Sequence, residues 1–221
     1  MQRRAFDLSV YLVTDTGLCG TRGVIETVRQ SISAGATVVQ LRDPVSKTRA
    51  LVDLARALLD VLRPAGIPLI VNDRVDVALA AEADGVHIGQ ADMAARDVRR
   101  LIGPDLILGL SITALADLDA SDLTQVDYLG VGPVFATATK ADAAPAMGLQ
   151  GLAAVRSTSA LPIVAIGGIH SGNTGDVIAA GADGVAVVSA ICAAPDAAAA
   201  TRELSGIVAT ARRLKAQVFS R

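Results

Sequence analysis

Polar side chains follow short apolar segments in this chain, and their types suggest metal-dependent chemistry on a phosphate. The apolar segment 69–71 is followed by Asn72 and Asp73, and the segment 85–89 is followed closely by Asp92. Mg²⁺ prefers oxygen ligands and usually takes one or two carboxylates together with substrate phosphates. Asp73 and Asp92 are therefore candidate ligands of one Mg²⁺ ion.

Each aspartate also has a second interpretation as the N-terminal cap of the helix predicted to follow it. Three other side chains that are expected at the same end of the strands, Arg42, Asn72 and Lys140, favour the metal interpretation of the two aspartates. Cations beside metal ligands suit a diphosphate, whose charge needs several partners. The alternative for Arg42 is a salt bridge between helices.

A second set of residues predicts a separate phosphate site. Gly167 and Gly168, in the segment AIGGIHSGN, allow backbone N–H groups to approach an anion closely. Val188 and Ser189, in the segment GVAVVSAI, would supply the other side of this site. A plain tight turn at the two glycines is the alternative.

The histidines and cysteines are given no catalytic role. His87 is expected to face the protein interior, and His170 is expected in a loop beside the phosphate site. The two cysteines, Cys19 and Cys192, are too few for a disulfide framework, which fits reduced thiols and a cytoplasmic location.

Eight short apolar segments must position these groups, and they alternate with longer helical segments along the chain. Their apolar residues are continuous, as is typical of parallel strands covered on both faces. The predicted strands span residues 7–15, 37–43, 68–73, 85–90, 106–112, 128–135, 162–169 and 184–191. A helix is predicted over 48–62, where leucines recur at helical spacing, and a closing helix over 196–218.

Repetition of these units predicts the fold. The segments SAGATVVQLR, AEADGVHIGQ and AGADGVAVVS share a small-residue helix end, a tight turn and a strand that ends in polar groups. We predict an α/β protein with a single (β/α)8 TIM barrel over residues 1–221. A doubly wound open sheet is the alternative, and eight units in this length favour closure.

Chemistry in such a barrel lies at the C-terminal ends of the strands, and the loops after strands seven and eight often bind phosphate. The polar residues predicted at that end are Gln40, Arg42, Asn72, Asp73, Gln90, Asp92, Ser111, Thr137, Thr139 and Lys140.

Composition narrows the classes of partner. The chain is 52% hydrophobic but 2% aromatic, so aliphatic residues must fill its core. A net charge of −2 predicts neither nucleic acid nor an anionic membrane as a partner. No apolar segment reaches the roughly 18 residues of a membrane span. The oligomeric state stays open, with a homodimer among the candidates.

Six segments, in this order, resemble the thiamine phosphate synthase family along nearly the whole chain: VQLRD, VNDRVDVALAAEADGVHIGQAD, LGLSI, DYLGVGPVFATATK, IVAIGGI and GVAVVSAI. The resemblance implies that a hydroxymethylpyrimidine diphosphate is coupled to a thiazole phosphate. The products would be thiamine phosphate and pyrophosphate, and Mg²⁺ would be the cofactor.

The resemblance also implies a role for each matching residue. The pyrimidine diphosphate would be held by Gln40, Arg42, Asn72 and Lys140, and Mg²⁺ by Asp73 and Asp92. Ser111 would face the pyrimidine, and with Arg42 and Lys140 it forms the expected catalytic group. The thiazole phosphate would be held by Thr137, Thr139, Gly168, Val188 and Ser189.

Two positions depart from the family pattern. Pro44 stands where the family often has a lysine, so the diphosphate loses one cation, for which Lys47 or Arg49 could substitute. Ala138 stands where a proline is usual, which leaves that loop less rigid.

The side-chain chemistry suits a dissociative reaction in which diphosphate departs, a pyrimidine cation forms and the thiazole nitrogen attacks it. Such a reaction needs positioning and electrostatic stabilisation but no strong base. Three alternatives share parts of the pattern: a barrel that isomerises the thiazole phosphate, a sugar-phosphate isomerase or epimerase, and a non-enzymatic phosphate-binding regulator.

Overall fold

Eight parallel strands close into a barrel in which each strand pairs with the next along the chain and the last pairs with the first. The computed structural model describes residues 6–139 and 144–219. The strands are β1 (Val10–Val13), β2 (Val38–Leu41), β3 (Leu69–Asn72), β4 (Gly85–Ile88), β5 (Ile107–Ile112), β6 (Tyr128–Val131), β7 (Ile163–Ile166) and β8 (Gly184–Val187). All eight predicted strands are confirmed, and the open doubly wound sheet is wrong.

Helices surround the barrel and connect consecutive strands. They are α1 (Thr16–Cys19), α2 (Val24–Ser33), α3 (Thr48–Leu62), α4 (Val75–Ala81), α5 (Ala95–Ile102), α6 (Ala116–Ala120), α7 (Gly148–Thr158), α8 (Ser171–Ala179), α9 (Ser189–Cys192) and α10 (Ala197–Phe219). The predicted helix over 48–62 coincides with α3, and the closing helix is α10. Among the described residues, no helix combines the length and apolarity needed to cross a bilayer.

Alternate residues of each strand divide the apolar core into two layers. Outward-facing residues such as Val39, Val86 and Leu108 pack against the helices. Inward-facing residues fill the barrel, where the two tyrosines of the chain, Tyr11 and Tyr128, are completely or almost completely buried. The inward layer continues to the C-terminal ends of the strands, so it determines which side chains line the floor of the site.

The opposite, N-terminal end of the barrel carries a fourfold pattern of hydrogen bonds. The residue directly before each even-numbered strand accepts a bond from a backbone N–H near the start of the preceding odd-numbered strand. The acceptors and donors are Thr37 Oγ1 and Val10 N (3.1 Å), Asp84 Oδ2 and Leu69 N (2.9 Å), Asp127 Oδ2 and Leu108 N (2.7 Å), and Asp183 Oδ2 and Ile163 N (2.8 Å). These bonds tie neighbouring strands together in pairs.

Candidate active site

The predicted polar residues lie together at the C-terminal end of the barrel. Asn72 and Ser111 are near the ends of β3 and β5, and Arg42, Asp73 and Asp92 follow β2, β3 and β4. Because all eight strands are parallel, these ends meet at one rim. The structure therefore brings the candidate residues of four consecutive strand segments, β2 to β5, to one face.

Asp73 has a backbone conformation that is uncommon among residues other than glycine. Its φ is 60°, in the left-handed region, and Glu82 at the end of α4 is the one other described non-glycine residue with positive φ. The Asp73 N–H donates to the His87 carbonyl of β4 at 2.8 Å, and Asn72 Nδ2 donates to Asp73 Oδ2 at 2.6 Å. Such conformations cluster at functional sites, where neighbouring contacts hold them.

Asp92 closes a tight turn after β4. Its Oδ2 accepts a hydrogen bond from the Gly89 N–H at 2.7 Å, and the side chain is exposed at the rim. Gln90, in the same turn, donates to the Ser111 carbonyl at 2.7 Å and so connects this turn to β5. The turn thereby holds Asp92 at the rim, directly after the strand that pairs with β3.

The helix-cap interpretation of both aspartates is wrong. Helix α4 begins at Val75 with Arg74 at the cap position, and α5 begins at Ala95 with Ala94 there, and neither cap residue makes a side-chain capping bond.

Two carboxylates at the exits of neighbouring strands are hard oxygen donors that suit Mg²⁺. The described part of the chain contains no cluster of three or more His, Cys, Asp or Glu residues that could hold a metal. A cation at Asp73 and Asp92 would therefore draw its remaining oxygen ligands from substrate phosphates and water, as Mg²⁺ commonly does.

Gln40 was expected to lie at the rim, and its side chain instead faces the barrel interior, where the residue is 5% exposed. Gln40 Nε2 donates to the Tyr11 hydroxyl at 2.9 Å. Gln40 shares its face of β2 with Val38, which belongs to the interior apolar layer. Its amide therefore lies below the rim.

A chain of hydrogen bonds crosses the barrel from Gln40 to Ser111. The hydroxyl oxygens of Tyr11 and Tyr128 are 2.8 Å apart, Tyr128 Oη is 2.9 Å from His87 Nδ1, and His87 Nε2 is 2.9 Å from Ser111 Oγ. His87 is buried, as predicted. The two tyrosines were not singled out in the sequence, although they are the only ones in the chain and each occupies an apolar strand.

Burial keeps both phenols protonated. It raises the pKa of Tyr11 above its usual value despite the hydrogen bonds that Tyr11 shares with Tyr128 and Gln40, which act to lower it. Burial is also the main cause that raises the pKa of Tyr128, and proximity to Tyr11 adds to it. Each tyrosine therefore keeps its hydroxyl hydrogen, which it can donate to the next group in this series of hydrogen bonds.

The loop after β2 presents Arg42 at the rim. Its backbone N–H donates to Thr14 Oγ1 at 3.1 Å. The salt bridges found among the described residues involve other arginines, so the interhelical salt bridge considered for Arg42 is not one of them. Lys47 and Arg49, the proposed substitutes for the missing lysine, are exposed at the start of α3.

Asp43 fixes the shape of the same loop. Its carboxylate accepts from the N–H groups of Val45 and Ser46, at 2.9 and 3.0 Å, and from the hydroxyls of Ser46 and Thr16. Partial burial acts to raise the pKa of Asp43, but these hydrogen bonds outweigh it and the pKa lies below its usual value. Asp43 is therefore a structural carboxylate, although it lies at the rim.

The loop after β7 carries both glycines with positive φ, 99° at Gly167 and 63° at Gly168. A Cβ at Gly168 would lie 2.6 Å from the Ala136 carbonyl oxygen, so close packing on the β6 loop also requires glycine there. Val188 and Ser189 lie next to this loop because β7 pairs with β8, and Ser189 begins α9.

His170 lies beside this loop, as predicted, and it has a structural role. Its Nδ1 accepts a hydrogen bond from the Gly172 N–H at 3.1 Å and caps α8.

The loop after β6 carries Thr137 and Thr139, and the Thr139 N–H contacts Thr137 Oγ1 at 3.3 Å. Lys140 lies outside the described residues, so its predicted position over the rim stays a prediction.

Farther round the barrel, Cys19 and Cys192 are both buried beside the junction of β1 and β8, where Cys192 Sγ lies 3.6 Å from the Val13 carbonyl oxygen.

Comparisons with known proteins agree with this architecture. A family model described as thiamine monophosphate synthase matches residues 10–191. The thiamine-phosphate synthase of Azorhizobium caulinodans is 55% identical over 208 residues, which cover 94% of this chain and 98% of that protein. The thiamine-phosphate synthase of Xanthobacter autotrophicus is 58% identical over 209 residues, or 95% of this chain and 99% of that protein.

Solved structures give the same picture. A thiamine phosphate pyrophosphorylase from Pyrococcus furiosus superimposes with a TM-score of 0.85 at 38% identity and covers 92% of this chain and 96% of its own. A 3-hexulose-6-phosphate synthase, at 18% identity and a TM-score of 0.66, shares the fold alone.

Proposed function

This chain belongs to the thiamine monophosphate synthase family, and from that we propose that it couples 4-amino-2-methyl-5-hydroxymethylpyrimidine diphosphate with a thiazole phosphate. The products are thiamine phosphate and pyrophosphate. The observation that carries the proposal is the identity of more than half of all residues with thiamine-phosphate synthases, which extends over nearly the whole chain. The carboxylates, amides and cation gathered at one rim support it.

Mg²⁺ is the proposed cofactor, and Asp73 and Asp92 are its proposed ligands. The ion would neutralise charge that develops on the departing diphosphate. Support comes from the hard oxygen donors that β3 and β4 deliver side by side. The contact of the Asp73 backbone with His87 and that of Asp92 with Gly89 would keep the two carboxylates in place before the ion arrives.

Arg42, Asn72 and Lys140 are the proposed partners of the diphosphate. A guanidinium can bind two phosphate oxygens at once, and Asn72 adds a neutral donor near the metal ligands. The inward orientation of Gln40 supports a different place for that residue, on the floor of the site beneath the pyrimidine. The proposed thiazole phosphate partners are Thr137, Thr139, Gly168, Val188 and Ser189.

The proposed reaction is dissociative. The C–O bond to the diphosphate breaks with its electron pair leaving on oxygen, and the thiazole nitrogen then donates its lone pair to the resulting cation. Neither step removes a proton from carbon, so no general base is required. The placement of both histidines fits this, because His87 is buried in the interior and His170 caps a helix.

The test is to incubate the purified protein with both substrates, with and without Mg²⁺. We expect equal amounts of thiamine phosphate and pyrophosphate with Mg²⁺, and loss of both products when a chelator removes it. Pyrimidine diphosphate that stays intact in the presence of Mg²⁺ and the thiazole phosphate would refute the proposal. The cytoplasmic location and the homodimer stay predictions.

A further inference from the structure

The hydrogen-bonded chain inside the barrel has a direction, which its Gln40 end sets. Gln40 Nε2 is a donor, so the Tyr11 oxygen accepts from it. The remaining partner of that hydroxyl within the described residues is Tyr128 Oη, 2.8 Å away, so Tyr11 donates its own hydrogen there. A buried hydroxyl hydrogen without an acceptor would cost about 1–3 kcal/mol, which makes this direction strongly preferred.

The same reasoning continues to Ser111. Tyr128 accepts from Tyr11 and must place its own hydrogen on His87 Nδ1, 2.9 Å away. A neutral imidazole has one N–H, so His87 then carries its hydrogen on Nε2 and donates it to Ser111 Oγ, also at 2.9 Å. Ser111 accepts from inside the barrel and has its own hydrogen available for the rim.

Two glycines make room for this arrangement. Gly109 of β5 lies directly beside His87 in the sheet, and Gly130 of β6 lies beside Ser111. A Cβ at Gly130 would lie 2.7 Å from His87 Cε1, and one at Gly109 would overlap both the His87 and the Tyr128 rings. The imidazole therefore sits in a notch that holds it at a fixed place between Tyr128 and Ser111.

We propose that His87 is a positioning residue for the coupling reaction, which in its Nε2–H tautomer fixes Ser111 as a hydrogen-bond donor to a ring nitrogen of the pyrimidine. Tyr11 and Tyr128 set that tautomer from the barrel interior. The kinetic part of this inference rests on the proposed function, in which Ser111 faces the pyrimidine. If the Gln40 amide were reversed, every bond would reverse, and Ser111 could offer only lone pairs.

The tautomer can be measured without any substrate. The chain has two histidines, so ¹⁵N-histidine labelling gives two imidazole spin systems, and His170→Asn identifies the second while it keeps a residue suited to a helix cap. At a pH of about 8 we expect His87 with hydrogen on Nε2 and a bare Nδ1. Tyr128→Phe removes the hydrogen donated to Nδ1 and should produce a measurable Nδ1–H population. An Nδ1–H ring in the unmodified protein, or a ring that Tyr128→Phe leaves unchanged, overturns the assignment.

Kinetics test the consequence for the substrate. His87→Asn keeps a polar group near Nδ1 but loses the donor to Ser111, and the KM for the pyrimidine diphosphate should rise about threefold to tenfold, the effect of one hydrogen bond. The KM for the thiazole phosphate should stay unchanged. His87→Gln places an N–H₂ group close to the Nε2 position and should restore most of the loss.

A double-mutant cycle separates positioning from general damage. With Ser111→Ala as the background, His87→Asn should have no further effect on the pyrimidine KM, because its target hydroxyl is absent. Additive effects, or equal rises in both KM values, would mean that His87 only packs the interior. A protein with no synthase activity but with the expected tautomer would refute the proposed function and leave the direction of the hydrogen bonds intact.

Discussion

Asp92→Asn separates the structural role of Asp92 from its proposed role in Mg²⁺ binding. The carboxylate accepts a hydrogen bond from the Gly89 N–H at 2.7 Å, and an asparagine carbonyl oxygen can accept the same bond. The turn after β4 should therefore persist, with a change in unfolding free energy below about 1 kcal/mol. What the substitution removes is one negative charge at the rim.

The loss of that charge sets the size of the expected effect. Two unit charges 4 Å apart attract by about 4 kcal/mol at the effective dielectric constant of a protein surface. Asp92 is exposed, so solvent screens part of this attraction, and about 2 kcal/mol is a reasonable remainder. The Mg²⁺ concentration for half-maximal rate should then rise about thirtyfold.

The assay is pyrophosphate release against Mg²⁺ concentration, with calorimetric titration of Mg²⁺ in the presence of pyrophosphate as a readout independent of turnover. Asp122→Asn is the matched control, because it removes an exposed carboxylate that precedes β6 at the opposite end of the barrel. Its Mg²⁺ curve should be unchanged. A wild-type Mg²⁺ curve for Asp92→Asn would refute the metal role and leave Asp92 as a turn residue.

Three further substitutions test other parts of the molecule. Lys140→Ala should slow single-turnover pyrophosphate release by about two to three orders of magnitude, because the cation stabilises the negative charge that grows on the diphosphate as the C–O bond breaks. A rate loss below about threefold would mean that Lys140 is a solvent-exposed residue with no role in the reaction. Gly168→Ala should lower the free energy of unfolding by about 1–3 kcal/mol in denaturant titration, since its Cβ would collide with the Ala136 carbonyl oxygen. It should also raise the KM for the thiazole phosphate more than the KM for the pyrimidine diphosphate. Equal rises in both KM values would contradict a role of Gly168 in binding the thiazole phosphate. Asp127→Asn leaves the buried Arg99 without its charge partner and should lower the free energy of unfolding by about 3 kcal/mol in calorimetry, with kcat unchanged; a stability within about 0.5 kcal/mol of wild type would contradict this.

The number and order of the strands could be predicted from the sequence because each strand is buried on both faces. Continuous apolar segments such as 162–169 mark a strand clearly, but they do not mark its ends. The first strand was predicted over 7–15 and spans Val10–Val13, since Asp15 already caps α1 with a bond to the Leu18 N–H. Burial produces the apolar pattern, and hydrogen bonding decides where pairing stops.

The direction in which a strand residue faces was harder to predict. In a strand covered on both faces, hydrophobicity does not distinguish the barrel interior from the helix layer. Gln40 was consequently placed at the rim, although it shares the inward face of Val38. The two tyrosines gave the available signal, because a buried phenol needs a polar partner, and Gln40 and His87 were the polar residues on apolar strands that could provide one.

Aspartates occur at both ends of the strands, and their position relative to the strand decides what they do. Asp84, Asp127 and Asp183 each precede a strand and accept an N–H from its neighbour, and Thr37 occupies the fourth equivalent position. The repeated segments of the sequence contain this position, so part of the repeat that predicted the fold is a repeated hydrogen bond.

Asp73 and Asp92 follow strands instead, and both are exposed at the rim where the barrel is open. Each carboxylate that precedes one of these strands accepts a hydrogen bond from a backbone N–H of the neighbouring strand. Replacing it would therefore break a bond that holds two strands together. Among the carboxylates that follow strands, Asp15 and Asp43 are also held by backbone N–H groups, and Asp73 and Asp92 are the two proposed to bind a cation. The same residue type therefore maintains strand pairing at one end of the barrel, and at the other end a change such as Asp92→Asn is predicted to weaken Mg²⁺ binding while the fold remains.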